Sequence, residues 1–196
     1  FKTVHLIGYS MGGRVALSFA IQYPEYIQSL TLESASPGLK SASERLKRRT
    51  DDEHLARKIE KEGIRKFVDY WESIPLFHSQ KKLPNDIQNR IRKERLSQSE
   101  IGLASALRWM GTGMQPSWWE HLKSISHPLL LIVGGLDHKF VMINKEIKSL
   151  VPHAELKIIK NSGHAVHVEQ PNQFGEIVKQ FIHTGQNHSE EENNDC

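Results

Sequence analysis

A serine lies between two glycines where a predicted strand meets a predicted helix. Residues 4–7 read VHLI, an apolar β-rich run, and residues 8–12 read GYSMG; the following segment, 13–20, has the composition of a helix. Residues that flank a serine on such a sharp turn need almost no side chain, so that strand and helix can pack closely. The free N–H groups of the helix start face the serine. Ser10 is therefore a predicted nucleophile, with the Met11 N–H as an oxyanion donor.

A glycine-rich turn between a strand and a helix can also bind phosphate. That alternative calls for a G-x-G-x-x-G or a G-K-[ST] motif. The sequence contains neither of them, so we favour the nucleophile interpretation.

Two partners for Ser10 follow it along the chain, first an acid and then a histidine. Residues 128–133 read PLLLIV and end at two glycines, which predicts a buried parallel strand, and Asp137 comes just after it. Residues 155–159 read ELKII, another predicted strand, and His164 lies in the loop that follows. Carboxyl ends of parallel strands meet at one edge of a sheet. We therefore expect Ser10, Asp137 and His164 to meet there.

The acid and the histidines also have simpler interpretations. Asp137 can be a solvated loop aspartate, and His164 is one of eleven histidines. His164 and His167 could form a metal pair, but no third ligand has a suitable spacing, so His167 is predicted to pack in the loop before Pro171. Eight further histidines have no motif around them and are given no role: His5, His54, His78, His121, His127, His153, His183 and His188.

Composition excludes several classes of function. The net charge of +3 is small and its signs are mixed, which argues against nucleic-acid binding. There is no apolar run of about eighteen residues, so we expect no membrane span. The one cysteine is Cys196, the last residue, so no disulfide framework is expected and a cytoplasmic location is predicted. We predict no metal and no cofactor.

The chain is predicted to alternate between a sheet core and a helical insertion. Residues 1–36 and 122–184 form the core in this interpretation, residues 37–121 form a helical lid, and residues 185–196 form a disordered polar tail. Pro84 and Ser99 each mark the start of a helix in the lid. The apolar face of a further lid helix consists of Ile64, Phe67, Val68 and Trp71, and that of the last core helix consists of Phe174, Ile177, Val178, Phe181 and Ile182.

The motifs together resemble those of the α/β-hydrolase superfamily. The serine turn, GLDHKF at residues 135–140 and GHAVHVEQP at residues 163–171 are general features of that superfamily. Arg14 after the double glycine, WESIPLF at residues 71–77 and MGTGMQPS at residues 110–117 are more specific. They resemble the 2-succinyl-6-hydroxy-2,4-cyclohexadiene-1-carboxylate synthases of menaquinone biosynthesis.

The resemblance implies a fold and a reaction. The fold is an α/β-hydrolase fold, a mostly parallel sheet with a helical lid inserted between strands. The chain resembles the C-terminal two-thirds of such an enzyme, so N-terminal strands and the loop with the second oxyanion donor are expected to be missing from it. The reaction is a lyase reaction that eliminates pyruvate from a small polycarboxylate, with Ser10 as base, His164 assisting it and Asp137 holding the histidine.

The resemblance also implies substrate-binding residues. Arg14 lies one helical turn after Ser10, and its planar donors suit a carboxylate. Arg48 and Trp71 are assigned to the same cavity by the resemblance alone. Arg14 can instead be a surface arginine, Arg48 part of a solvated helix face, and Trp71 part of the lid core.

Two other functions stay open at this point. One is a serine hydrolase that cleaves an ester or a C–C bond through an acyl-enzyme. The other is a non-catalytic protein of the same fold that binds a small ligand or a partner, although such a protein needs no nucleophile.

Overall fold

Four parallel strands form one sheet within residues 2–191, the part of the chain that the computed structural model describes, with side chains through residue 184. Neighbouring strands in the sheet follow chain order, β1-β2-β3-β4. All three pairings are parallel, so the carboxyl ends of the strands lie at the same edge. The strands are β1 (Val4–Tyr9), β2 (Ile27–Glu33), β3 (Leu129–Gly134) and β4 (Glu155–Ile159).

Helices connect these strands and fill the long segment between β2 and β3. The structure has α1 (Ser10–Gln22), α2 (Ala42–Ser73), α3 (Asn85–Leu96), α4 (Glu100–Met110), α5 (His138–Leu150), α6 (Val166–Glu169) and α7 (Pro171–Glu191), with short 3₁₀ helices at Pro24–Tyr26, Pro75–Lys82 and Trp119–Ser124. The chain divides into two compact units, of which one is Gly38–Trp119 and the other joins the segments before and after it.

The core of the sheet unit lies around β3. Every residue of β3 is buried, as expected for a strand with neighbours on both sides and helices on its faces. Phe174 and Phe181 of α7 pack with other apolar residues of that helix against a buried cluster that includes Leu130 and Ile132. The apolar stripe predicted for the last core helix is confirmed as a core-facing stripe.

The helical unit, Gly38–Trp119, begins with a capped helix. Ser41 and Glu44 form a capping box, in which each side chain accepts a hydrogen bond from the other residue's backbone N–H. The helix α2 bends at Gly63, where φ is +84°. Arg108 of α4 joins that helix to α2 through ion pairs with Glu53 and Glu60. Hydrogen bonds from Arg108 and Arg57 lower the pKa of Glu53 to about 2.

The predicted helix starts in this unit agree with the structure. The helix α3 begins at Asn85, directly after Pro84. Ser99 is the N-cap of α4 and accepts a hydrogen bond from the Gly102 N–H at 3.2 Å. The assignment of residues 37–121 as a lid stays a prediction.

The predicted tail lies partly outside the described residues. The helix α7 continues to Glu191, whereas residues 192–196 are not among the residues that the structure describes. Among the described helices, none has the length and apolar character needed to cross a membrane.

His127, just before β3, has a buried imidazole that makes no hydrogen bond with the described residues. Its residue is 8% exposed, and neither ring nitrogen has a hydrogen-bond partner within the described residues. Burial lowers the pKa of His127 below 6.5, and His153 adds to this effect. Below pH 6.5 the unfolded chain therefore binds more protons at this position than the folded chain does.

We expect this histidine to weaken the fold in acid. The free energy of unfolding should fall as the pH drops below 6.5, by about 1.4 kcal/mol for each unit by which folding lowers the pKa of His127. In His127→Leu this part of the pH dependence should disappear. Urea unfolding at pH 7.5 and pH 5.5 measures it, with His54→Leu at an exposed position as the control. An equal loss of stability in His127→Leu and wild type would contradict the assignment.

Candidate active site

Ser10 occupies the strained turn that the sequence predicts. It is the first residue of α1 and directly follows the last residue of β1, Tyr9. Its φ is +47°, in the left-handed region that non-glycine residues rarely adopt. Such a conformation costs about 1–3 kcal/mol and persists only where the surroundings enforce it. The turn thereby holds the Ser10 side chain at the carboxyl edge of the sheet.

The close approach of strand and helix depends on Gly8 and Gly13. A Cβ built on Gly8 would lie 2.6 Å from the Gly13 Cα, and one built on Gly13 would lie 2.5 Å from the Ala35 Cβ. By contrast, a Cβ on Gly12 would meet no heavy atom of the described residues within 4 Å apart from its chain neighbours and the nearby backbone of its own helix. The expectation that both glycines flanking the serine are needed for packing is therefore wrong for Gly12. The second close contact falls one residue later.

Asp137 lies three residues beyond the end of β3 and is nearly buried. One carboxylate oxygen, Oδ1, accepts a hydrogen bond from the Phe140 N–H at 3.3 Å and so caps α5. The other, Oδ2, lies 2.7 Å from His164 Nδ1. This arrangement fixes the carboxylate with one oxygen on the helix and the other on the imidazole.

His164 completes a chain of hydrogen bonds from Asp137 to Ser10. Its Nε2 lies 2.9 Å from the Ser10 Oγ, and the residue is 1% exposed. The imidazole packs against the rings of Phe140 and Tyr9, with centroid separations of 4.7 Å and 5.4 Å. The structure thus brings together the three residues that the sequence places at strand ends. Their role in catalysis stays a prediction.

The loop that carries His164 is fitted closely to the end of β3. A Cβ on Gly134 would collide with the carbonyl oxygens of Ser162 and Gly163. The Leu136 N–H donates to the Ser162 carbonyl at 2.9 Å, so the two loops are also joined by a backbone hydrogen bond. This contact joins the loop that carries Asp137 to the loop that carries His164.

Met11 and Arg14 follow Ser10 on the same helix. The backbone N–H of Met11 belongs to the first turn of α1, where N–H groups have no partner within the helix. Arg14 lies four residues after Ser10, one helical turn away, and is half-buried. Both positions agree with roles next to the serine, and these roles stay predictions.

Arg48 and Trp71 belong to the helical unit, where each has neighbours within that unit. The Arg48 Nε lies 2.8 Å from Oδ1 of Asp52, a carboxylate whose side chain is only 5% exposed. Trp71 stacks on Phe67, with ring centroids 5.3 Å apart, and also contacts Phe77. These contacts agree with the lid-core interpretation of Trp71, and the substrate-binding role of both residues stays a prediction.

Glu33 and His167 form a second carboxylate–histidine pair that the sequence analysis did not identify. The His167 Nδ1 lies 2.8 Å and 2.9 Å from the two carboxylate oxygens of Glu33, and the His167 backbone N–H donates to Oε1 at 3.0 Å. His167 packs before Pro171 as predicted, against Tyr9 and Phe174. It lies in the helix α6 rather than in a loop, and it also binds this carboxylate. The feature that could have revealed this pair is Glu33 itself, an acidic residue at the end of an otherwise buried strand.

The charge of Glu33 changes the protonation of its partner. The hydrogen bond with the Glu33 carboxylate raises the pKa of His167 above 6.5, while burial acts in the opposite direction. Within the described residues, no group of three or more histidine, cysteine, aspartate or glutamate side chains is arranged to hold a metal ion.

The chain matches a known family over most of its length. The family described as having the alpha/beta hydrolase fold matches residues 1–171. The chain therefore belongs to the α/β-hydrolase family. A nucleophilic serine, a histidine and an acid at strand ends are what this fold provides for chemistry.

Two individual proteins are similar to most of this chain. A protein of Bacillus subtilis (strain 168), named provisionally as a 2-succinyl-6-hydroxy-2,4-cyclohexadiene-1-carboxylate synthase, is 51% identical over 179 residues, which are 91% of this chain and 65% of that protein. This chain thus spans about two-thirds of that relative's length. The structure of MenH from S. aureus is similar with a TM-score of 0.91 and 44% identity, covering 94% of this chain and 69% of the other.

Enzymes named for a different reaction share the fold as well. A thermophilic esterase from Thermogutta terrifontis, solved with malate bound, aligns with a TM-score of 0.77 and 25% identity. The alignment covers 94% of this chain and 66% of the esterase. The fold alone therefore does not separate a lyase from an ester hydrolase.

Proposed function

We propose that the protein containing this chain is a carbon–oxygen lyase of menaquinone biosynthesis. It eliminates pyruvate from a cyclohexene-carboxylate intermediate and gives 2-succinyl-6-hydroxy-2,4-cyclohexadiene-1-carboxylate. The observation that carries the proposal is the hydrogen-bonded chain Asp137–His164–Ser10. The names of the Bacillus subtilis relative and of the S. aureus structure support the choice of substrate.

The triad supplies the base in this reaction. The Ser10 Oγ passes its proton to His164 Nε2 and takes a proton from a ring carbon of the substrate. The electron pair left on that carbon moves through the ring and breaks the C–O bond to the enol-pyruvyl group. The leaving group departs as the enolate of pyruvate, which takes up one proton on its terminal carbon and becomes pyruvate, so the proton lost from the ring is balanced. No oxidant or reductant is consumed, so the step needs no redox cofactor.

Asp137 makes this proton transfer favourable. Its Oδ2 accepts a hydrogen bond from the Nδ1–H of His164, which leaves Nε2 as the acceptor that faces Ser10. When His164 receives the serine proton, the nearby carboxylate stabilises the imidazolium. The Met11 N–H at the start of α1 stabilises negative charge that develops on a substrate oxygen.

Arginine side chains are the proposed ligands of the substrate carboxylates. Arg14 is proposed to bind one carboxylate with its fork of donors, one turn along α1 from Ser10. Arg48 is proposed to bind another carboxylate of the substrate through its terminal nitrogens, because its Nε is bonded to Asp52. Trp71 is proposed to contact the substrate from its aromatic cluster. We further propose a cytoplasmic location, and neither nucleic acid nor membrane as a partner.

Pyruvate release tests the proposed function directly. The full-length protein is offered the enol-pyruvyl intermediate, and pyruvate is measured through NADH consumption by lactate dehydrogenase. We expect stoichiometric pyruvate with wild type and almost none with Ser10→Ala. Absence of pyruvate with a well-folded wild-type protein would contradict the proposal.

A serine hydrolase is the alternative function, favoured by the esterase neighbour. It would acylate Ser10 and release an alcohol. Mass spectrometry after reaction with an activated ester distinguishes the two functions. A kinetically competent acyl-enzyme on Ser10, together with no pyruvate release, would favour the hydrolase.

We expect Arg14→Ala to raise KM and lower kcat. If Arg14 pairs with a desolvated carboxylate, the loss of transition-state stabilisation should be about 2–4 kcal/mol. Arg14→Lys should recover little, since a single ammonium cannot replace a planar fork. Steady-state kinetics of pyruvate release measure both variants, with Lys2→Ala as an exposed cation control. Unchanged kinetics in both variants would make Arg14 an ordinary surface residue.

A further inference from the structure

Glu33 is a buried carboxylate that, among the described residues, makes its side-chain hydrogen bonds with His167 alone. It ends β2, is 1% exposed, and within the described residues both of its oxygens are bonded to His167. Burying a carboxylate is costly unless it is fully hydrogen-bonded. The rest of this strand end, Leu30 to Leu32, is uncharged and buried. Because burying this carboxylate costs free energy, its presence at the carboxyl edge of the sheet indicates a function beyond filling the core.

The pair is connected to both reacting side chains of the triad. Glu33 lies opposite Tyr9 in the register of β1 and β2, and Tyr9 directly precedes Ser10. The Tyr9 ring packs on His167 with a centroid separation of 4.7 Å and on His164 with one of 5.4 Å. His167 also lies only three residues after His164 along the chain. The position of His167 therefore constrains Tyr9 from one side and the His164 loop from the other.

A second buried carboxylate holds the other end of the same loop. Glu169, at the end of α6, accepts a hydrogen bond from the Gly163 N–H through Oε2 at 2.7 Å. Gly163 directly precedes His164, so the backbone on both sides of the histidine is tied to a carboxylate. Glu169 fixes the backbone just before His164, and Glu33 fixes α6, the short helix that follows it.

We propose that Glu33 is a positioning residue for the triad, which acts by holding His167 and, through His167, the Tyr9 ring and the His164 loop. The inference rests on the proposed function where turnover is measured. Glu33 touches no reacting atom in this proposal. Its effect should therefore appear in kcat rather than in KM.

The proposal includes a dependence on pH. The groups that face His167 are Glu33 from β2, Glu169 from its own helix, Tyr9 from β1 and Phe174 from α7. Both charged neighbours are acidic, so they favour the imidazolium form. As the pH rises through the raised pKa of His167, the charged hydrogen bond becomes a neutral one and holds the loop less firmly. Turnover should then show an alkaline decline that belongs to His167.

Two variants separate the charge from the packing. Glu33→Gln keeps the length of the side chain and an acceptor oxygen but removes the charge. We expect kcat for pyruvate release to fall about tenfold, with KM changed less than twofold and the alkaline decline moved to lower pH. His167→Asn keeps a donor toward Glu33 but cannot titrate there, so the decline should disappear. Glu25→Gln, at an exposed position, is the matched control.

NMR titration of the histidine Cε1–H signals gives a readout that needs no substrate. In Glu33→Gln we expect the His167 titration to move to lower pH and the His164 signal to shift, with neither change in the control. An unchanged His164 signal, or kcat and alkaline decline equal to wild type, would overturn the positioning role. If Glu33→Gln fails to fold, His167→Asn decides the matter, and an unchanged alkaline decline in it overturns the proposal. If wild type releases no pyruvate, the NMR result still decides this inference, whereas the proposed function fails.

Discussion

Replacing Ser10 with alanine should lower kcat for pyruvate release by roughly 10³-fold. The Ser10 Oγ is the atom that meets the substrate in the proposed reaction, and general-base catalysis by a positioned group contributes about 10²–10⁴-fold. Its hydrogen bond to His164 at 2.9 Å shows that the proton has a direct path to the imidazole. His164→Ala and Asp137→Asn should each lower kcat by orders of magnitude for the same reason. Stopped-flow or steady-state pyruvate release in the full-length protein measures all three.

The three losses should not add. Because the residues act as one unit, the variant that combines Ser10→Ala and His164→Ala should be little slower than either single variant. Circular dichroism and thermal unfolding should show a native fold in each variant. Ser10→Ala, for example, removes only the hydroxyl oxygen and leaves the backbone of the turn in place. Near wild-type turnover in any one of the single variants would contradict the role given to that residue.

The sheet and the triad could be predicted because local patterns determine them. Apolar runs bounded by glycine or proline mark β1 and β3, the segment ELKII marks β4, and parallel pairing then brings their carboxyl ends together. Residues as far apart in sequence as Ser10 and His164 meet for that reason alone. The prediction needed no knowledge of side-chain contacts, only the direction of the strands.

Contacts that depend on exact distances between elements could not be predicted. The glycine rule for the serine turn holds at Gly8, but the second close contact occurs at Gly13, because that residue rather than Gly12 faces Ala35. The Glu33–His167 pair joins residues 134 positions apart, and nothing local to either residue reports the other. The i, i+4 spacing of Arg48 and Asp52 is visible in the sequence, but the burial of the Asp52 side chain depends on packing within the folded unit.

A methyl group at Gly134 should disrupt both the fold and the site. The Cβ of Gly134→Ala would overlap the carbonyl oxygens of Ser162 and Gly163, which are backbone atoms and cannot rotate away. Overpacking of this kind costs about 1–3 kcal/mol, and more where the backbone itself must move. We expect the free energy of unfolding to fall by about 3 kcal/mol or more. Urea unfolding of the full-length protein measures this loss.

The same substitution should lower turnover beyond the loss of folded protein. Moving the Ser162–Gly163 backbone away from β3 breaks the bond from the Leu136 N–H to the Ser162 carbonyl and displaces His164 from Asp137. A misplacement of about 1 Å can cost about 10²-fold in rate, so kcat per folded molecule should fall by about that factor.

Gly175→Ala provides the matched control for Gly134→Ala. Gly175 lies inside the helix α7, and a Cβ there would meet no heavy atom of the described residues within 4 Å apart from its chain neighbours and the nearby backbone of that helix. Alanine is favoured over glycine in a helix by about 0.5–1 kcal/mol, so this variant should be at least as stable as wild type and equally active. The opposite outcomes of the same chemical change would show that the β3 position, rather than the added methyl group, is responsible. If Gly134→Ala matched Gly175→Ala in stability and kcat, the close fit between β3 and the His164 loop would not control the geometry of the triad.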